Sequence, residues 1–369
     1  MRHRTLQRGF AGAAAAVAVL LLVEGVARLA APVLPEWRQA DTGTDVLAGH
    51  PTRLWGLGIG LRNTAGVPAL INEGGLRGEI PVLPRPEGRT RLLVLGDSSF
   101  FGHGVADGQD LGSVAAGLLP DADVVIGAVP GYSVAQSTVF MEEDGWDLQP
   151  SLLVIGHLWS DNAWDSFHDE DLLASQRFSQ HNPLAHSRAL TLLATALGAG
   201  GEEGGRVISV SKLEPWPEGR VRRVPLQRYA ELLDGLLREA GRREVGALII
   251  EPSNRISLEG RPGDWDTYYE AMEALAEHHD IPIIDAKVLY RDSGLGPDDL
   301  FMDSMHPTVA GHRILGEAVA EAVLEGVAIP QGGVFDASGL RDVRPPEPQA
   351  DEEDMGSPQT TLFDASPPR

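Results

Sequence analysis

Leu92-Leu93-Val94-Leu95-Gly96-Asp97-Ser98-Ser99 is the stretch on which the fold turns: four apolar residues run without a break into a Gly-Asp-Ser-Ser turn. A short continuous apolar run bounded by turn residues suits a strand buried on both faces of a parallel sheet. The serine that follows then stands at the carboxyl end of that strand, where open α/β sheets keep their sites. Taken alone, Gly-Asp-Ser also reads as a strand-to-helix turn in which Asp or Ser serves as an N-cap.

Working outward, four similar runs follow: Val124 to Ile126, Leu152 to Ile155, Ala247 to Ile250, and Pro282 to Ile284. Helical spacing lies between them. Leu226, Tyr229, Leu233, Leu236, Leu237 and Ala240 recur at steps of three and four, as do Trp265, Tyr268, Met272, Leu275 and Ala276. Strands alternating with helices predict an α/β fold, a three-layer α/β/α sandwich on a five-stranded parallel sheet of the flavodoxin-like kind.

A second chemical motif lies more than two hundred residues on, at Asp303-Ser304-Met305-His306-Pro307-Thr308, with Gly311 and His312 after it. A serine hydroxyl needs a base within hydrogen-bond reach, and imidazole serves best when a carboxylate fixes its tautomer. Asp303 and His306 are close enough in sequence to meet across one turn. The plainer reading has Asp303 capping a helix that Pro307 begins.

Together, in this order, the two motifs resemble those of the SGNH hydrolases, also called GDSL-like esterases and lipases. The resemblance covers roughly Pro51 to Val327 and points to bacterial membrane-anchored members. It includes Asn72-Glu73-Gly74-Gly75-Leu76-Arg77-Gly78 before the first strand and Phe101-Gly102-His103-Gly104-Val105 after the serine. The G-x-S-x-G elbow of ordinary α/β-hydrolases is missing. The resemblance implies a catalytic triad of Ser98, His306 and Asp303, and an oxyanion hole with backbone donors at Ser98 and Gly131. Gly131 is assigned from Gly127-Ala128-Val129-Pro130-Gly131-Tyr132, which also reads as a plain Pro-Gly turn.

The family's third block, Gly-x-Asn-Asp, is altered. Here the third strand leads to Gly156-His157-Leu158-Trp159-Ser160-Asp161-Asn162. A gap-free register puts Ser160 at the asparagine and Asp161 at the aspartate. Asn162 is the expected side-chain donor, because an amide always presents hydrogens whereas a hydroxyl must be oriented, and Ser160 is the alternative. The implied activity is hydrolysis of a small acyl ester, with an acylated glycan as one substrate. An O-acyltransferase would use the same triad, and a non-catalytic glycan- or partner-binding module is the third reading.

The remaining sequence bounds these readings. A net charge of −23 argues against a nucleic-acid partner, whose phosphates need Lys and Arg. With no cysteine, disulfides, thiolate nucleophiles and Cys-ligated zinc are excluded. No phosphate loop or dinucleotide fingerprint is present, so no cofactor is implied. His278 and His279 beside Asp280 suggest a metal site, but neighbouring helical side chains should point apart, and none is expected there. His312 is expected to pack or hydrogen-bond on the last helix. At the N-terminus, Arg2, His3, Arg4 and Arg8 precede an apolar run from Gly9 to Val23 that resumes beyond Glu24 as far as Pro32. Residues 1–32 therefore read as a membrane anchor that leaves the rest of the chain extracytoplasmic, or as a signal segment whose cleavage would release a secreted protein. Residues 33–90 read as a loop-dominated lead-in and 91–326 as the hydrolase domain, with an insertion at about 166–224. Residues 327–369 read as an acidic disordered tail.

Overall fold

The computed structural model describes residues 22–25, 46–181, 220–326 and 328–342. The chain divides into two units, one of residues 1–40 and 174–208, the other of 41–173 and 209–369; all that follows concerns the second. Among the described residues no helix is long and apolar enough to cross a membrane. Most of the apolar segment between Arg8 and Pro32, the Gly198 to Gly205 stretch and the acidic block Asp351 to Asp354 lie outside the described residues.

The lead-in differs from expectation. It folds into two antiparallel hairpins, β1 (Leu47–His50) with β2 (Leu54–Leu57), and β3 (Gly60–Thr64) with β4 (Val67–Ile71). The second closes on Ala65-Gly66, with φ of 49° and 84°, and the Gly66 N–H donates to Asn63 Oδ1 at 2.7 Å. Two successive positive-φ residues are what a two-residue hairpin turn of the primed type demands. These strands escape a periodicity search because they are short and half exposed: Leu61 and Leu70, paired across the hairpin, are both solvent-facing.

All five apolar runs become strands of one parallel sheet: β5 (Thr90–Gly96), β6 (Ala122–Ile126), β7 (Leu152–Gly156), β10 (Gly246–Glu251) and β11 (Ile283–Asp285). Its order is β11-β10-β7-β5-β6, which puts β5 and β7 side by side in the interior. Between β7 and β10 lies a two-residue antiparallel pair, β8 (Trp164–Asp165) and β9 (Val221–Arg222).

Side chains of a strand alternate between faces, and here both faces are dry. Leu93, Leu95, Leu153, Ile155, Ala247 and Ile249 join one apolar core, while Leu92, Val94, Leu152, Val154, Leu248 and Ile250 join a second. The helices that carry the chemistry are α1 (Ser98–Phe101), α2 (Leu111–Leu118), α3 (Val134–Phe140) and α4 (Trp159–Asn162). Next come α5 (Asp169–His181), α6 (Leu226–Arg242), α7 (Arg255–Leu258) and α8 (Asp266–His279). The last three are α9 (Ala286–Asp292), α10 (Pro297–Leu300) and α11 (Val309–Glu325). Helices α3, α6 and α8 cover the first face, and α2, α9 and α11 the second, completing three layers. The predicted stripe of α6 is the one buried, from Leu226 to Ala240.

The tail also departs from expectation, because residues 328–342 pack against the domain. The Ala247 N–H donates to Ala328 O at 3.2 Å, the Gln331 N–H to His279 O at 2.9 Å, and Ala337 is buried in the first core. The expected disordered tail thus loses its first fifteen or so residues to the fold, although they form neither helix nor strand.

Candidate active site

The Gly-Asp-Ser turn is built as a helix cap. Asp97 is the N-cap of α1, accepting the Ser99 N–H at 3.0 Å through Oδ1 and the Ser160 N–H at 3.3 Å through Oδ2. One carboxylate therefore ties the end of β5 to the start of α4. Burial pushes the Asp97 carboxyl above its usual range, partly offset by these two N–H donors. Gly96 and Gly156 are register partners, and a Cβ on Gly156 would fall 1.7 Å from Phe100 Cζ. The two glycines let the Phe100 ring lie across the strand ends, which seats α1, and Ser98 with it, directly on the sheet.

Ser98 Oγ lies 2.8 Å from His306 Nε2, and His306 Nδ1 lies 2.5 Å from Asp303 Oδ2. Because Nδ1 faces a carboxylate it carries the proton, leaving Nε2 as an acceptor for the serine hydroxyl. Asp303 does not cap the last helix: Thr308 does, accepting the Gly311 N–H at 3.3 Å, and α11 begins at Val309. Asp303 Oδ1 instead accepts the backbone N–H groups of Met305 (2.9 Å) and His306 (2.8 Å). Burial raises its pKa, but the hydrogen bonds from the His306 ring and these two N–H groups outweigh it, holding the carboxyl down to about 2. Arg255 steadies the loop from behind, its Nε donating to Asp303 O at 2.7 Å and Nη2 to Phe301 O at 3.0 Å.

The lead-in supplies a second support that the sequence did not disclose. Arg77, buried, donates to the carbonyls of Phe101, Gly102 and Val105 at 2.8, 2.6 and 2.6 Å and pairs with Asp107 at 2.9 Å. It thereby locks the loop that carries His103. The His103 ring stacks at 4.5 Å on that of His306, and its Nδ1 lies 3.0 Å from Thr64 Oγ1. Burial, then the neighbouring His306 and Arg77 charges, push His103 down to about 3, so it remains neutral against the base. His312 is fully buried on α11, and among the described residues its ring nitrogens have no hydrogen-bond partner. Its role is packing, and burial likewise lowers it to about 3.

Gly131 has φ 80°, and among the described residues its N–H has no acceptor; nor does the Ser98 N–H, at the first position of α1. In the third block, Asp161 Oδ1 accepts the Val134 N–H at 2.8 Å, joining α4 to the start of α3. Burial pushes the Asp161 carboxyl well up, and His157, 3.7 Å away, down to about 3. Asn162 does not meet the expectation placed on it. Its amide donates to Asp264 Oδ1 at 3.3 Å, within a cluster where Asp264 also accepts Trp164 Nε1 at 3.0 Å and pairs with Arg222 at 2.8 Å. The amide is held by that cluster, while the Ser160 hydroxyl has no hydrogen-bond partner among the described residues and its backbone is tied to Asp97.

The adjacent histidines on α8 do not point apart as expected. Ring nitrogens of His278 and His279 converge with an Asp234 oxygen within 4.8 Å. These nitrogens face protein acceptors: His279 meets Asp234 Oδ1 at 2.8 Å and Gln331 O at 3.0 Å, and His278 meets Gly333 O at 3.1 Å. The cluster clamps residues 328–342 against the domain.

No known family model matches the chain, and no curated protein matches it. Among solved structures the chain is similar to a protein of the lipolytic G-D-S-L family from Desulfitobacterium hafniense DCB-2, at 13% identity over 63% of this chain and 99% of that one, with a TM-score of 0.42. The acetylxylan esterase Axe2 from Geobacillus stearothermophilus is similar at 19% identity over 71% and 99%, with a TM-score of 0.41. LAE5, an α/β hydrolase enzyme from the metagenome of Lake Arreo, is similar at 16% over 64% and 94%, with a TM-score of 0.41. The functional reading rests on the site geometry, not on these overall likenesses.

Proposed function

We propose that this chain is a serine hydrolase of the SGNH type that cleaves small acyl esters. The observation that carries the reading is the continuous relay Asp303–His306–Ser98, at 2.5 and 2.8 Å, together with the Ser98 and Gly131 backbone N–H groups, which have no acceptor among the described residues. In this reading His306 Nε2 takes the Ser98 proton as Oγ attacks the ester carbonyl, and Asp303 steadies the imidazolium. The oxyanion forms against the Ser98 and Gly131 N–H groups, with the Ser160 hydroxyl as the side-chain donor in place of Asn162. Collapse breaks the ester C–O bond, and His306 returns its proton to the leaving alcohol. Water, deprotonated by the same imidazole, then attacks the acyl-serine and frees the carboxylic acid.

Ser98 and His306 are both buried, which favours a short acyl chain such as acetyl. An acetyl group on an extracytoplasmic glycan fits both this confinement and a chain tethered through the apolar segment between Arg8 and Pro32. The test is turnover of p-nitrophenyl esters of increasing chain length by the full chain, together with labelling by a fluorophosphonate. Activity highest on acetyl, label mapped to Ser98, and loss of both in Ser98→Ala are expected. Near-normal turnover in folded Ser98→Ala refutes the reading.

A further inference from the structure

Val129-Pro130-Gly131-Tyr132 is a type II β-turn. The Tyr132 N–H donates to Val129 O at 3.0 Å, and Gly131, the third residue, has φ 80°. Such a turn has a near neighbour, type I, reached by rotating only the central peptide, here Pro130–Gly131. That rotation moves Gly131 to negative φ and sends its N–H to the opposite side of the turn. Glycine permits both states, so sequence alone does not fix where this N–H points.

Two side chains from distant segments fix it. The Trp55 indole Nε1 of β2 donates to Pro130 O at 3.0 Å. The Pro130–Gly131 bond is trans, so that carbonyl and the Gly131 N–H lie in one plane and point opposite ways. Holding the oxygen aims the hydrogen. The next peptide is held as well, since Arg223 Nη2 donates to Gly131 O at 2.9 Å while its guanidinium pairs with buried Asp169 at 2.7 Å. The Trp55 ring is itself confined. It stands 3.3 Å from where a Gly131 Cβ would be, beneath the Arg223 guanidinium at 5.6 Å, and the Tyr132 hydroxyl donates to Trp55 O at 2.8 Å.

We infer that Trp55 is a positioning residue for the oxyanion hole: its indole N–H locks the Pro130–Gly131 peptide in the type II state and presets the Gly131 amide as a donor. The inference rests on the hydrolase reading above. It also gives the first hairpin of the lead-in a function, as the carrier of that lock.

The magnitude follows from the bond. One net hydrogen bond shifts a two-state equilibrium by up to about tenfold; a turn that the bond holds roughly 3:1 in the type II state falls to roughly 0.3:1 without it, so the competent fraction, and turnover with it, drops about threefold. This is less than the roughly 10²- to 10³-fold cost of deleting a donor, because the Gly131 N–H is still present in the other state.

The test uses the full chain with Trp55→Phe, and in parallel site-specific replacement of Trp55 by benzothienylalanine, which keeps the bicyclic ring and removes only the N–H. Both should lower kcat about threefold with KM within twofold. Thr52→Ala removes the bond from the same hairpin to Glu143 Oε2 at 2.7 Å without touching the indole or Tyr132, and should leave kcat within about 1.5-fold. Unchanged kcat in the benzothienylalanine protein, a loss confined to KM, or an equal kcat loss in Thr52→Ala overturns the inference. If Ser98→Ala is inactive in each of those cases, only the role of Trp55 falls; if Ser98→Ala is active, the hydrolase reading falls with it.

Discussion

Replacing Asp303 by Asn separates charge from shape at the relay, and the structure dictates which way the new amide must face. Asp303 Oδ1 accepts two backbone N–H groups, from Met305 and His306, at 2.9 and 2.8 Å. An asparagine can satisfy both only with its carbonyl oxygen, so its NH2 must occupy the Oδ2 position, which now lies 2.5 Å from His306 Nδ1. A donor facing Nδ1 makes Nδ1 the acceptor and places the ring proton on Nε2. The imidazole then presents a hydrogen to Ser98 Oγ instead of a lone pair, and cannot accept the serine proton. A wrong tautomer in a Ser-His-Asp site costs about 10⁴ in kcat, a magnitude known from chymotrypsin-like proteases, equivalent to about 5.5 kcal/mol. The expected result for Asp303→Asn is a kcat loss of roughly 10³- to 10⁴-fold with KM changed by less than about threefold. Kinetics on p-nitrophenyl acetate measure the loss, and ¹⁵N shifts of labelled histidine report the tautomer directly. A loss under tenfold in a folded variant, or a His306 that keeps its proton on Nδ1, refutes the reasoning.

Three further outcomes are expected. Ser160→Ala should lower kcat by about 10²-fold with little change in KM, and Asn162→Ala should be mild; the reverse ranking, read from both constants on one activated ester, would return the donor role to Asn162. Glu251, at the carboxyl end of β10, is pushed up to about 8 by burial and then by the Asp285 charge, from an unfolded value of 4.5. Its contribution to stability is fully present below the unfolded value and lost as pH rises through about 8. Glu251→Gln should therefore gain on wild type between pH 5 and pH 9, by at most about 4 kcal/mol, and thermal melts showing a pH-independent difference would refute this. Finally, full-length protein should sediment with membranes and resist high-salt extraction, because apolar insertion is not screened; a soluble species beginning near Arg28 would establish cleavage instead.

How much of this was legible in the sequence depended on which atoms each feature uses. The five strands were legible because burial on both faces leaves an unbroken apolar run, as at Leu152 to Ile155, and nothing polar can interrupt it. Ser98, His306 and Asp303 were legible as a group because a serine relay needs those side-chain types, and the fold brings them within 2.8 and 2.5 Å of one another. The lead-in strands were not, since Gly60–Thr64 carries an outward Leu61 and depends on the Ala65-Gly66 turn more than on pattern. Residues 328–342 looked like the acidic tail by composition, yet they are held by backbone bonds to Ala247 and His279 that no composition encodes. The bond from Asn162 to Asp264 was hidden because its partner lies about a hundred positions away.

Trp55, Arg77 and Arg223 went unread for a deeper reason. Each acts on main-chain carbonyls, at Pro130, at Phe101 with Gly102 and Val105, and at Gly131. A carbonyl oxygen is present at every residue, so a long donor reaching one leaves no complementary residue type at the other end of the contact. Two of the three donors come from the lead-in, whose hairpins would otherwise be an appendage to a sheet that already has both faces covered. Their common effect is to fix backbone that glycine leaves free: Gly102 and Gly131 both sit at positive φ. Glycine is needed there so that the chain can turn tightly and approach a substrate, and that same freedom would let the amides point elsewhere. The rigid, multidentate donors of Arg and the fixed N–H of Trp remove it. A lead-in that looks dispensable by composition thus supplies two of the donors that hold the loops around Ser98 and Gly131.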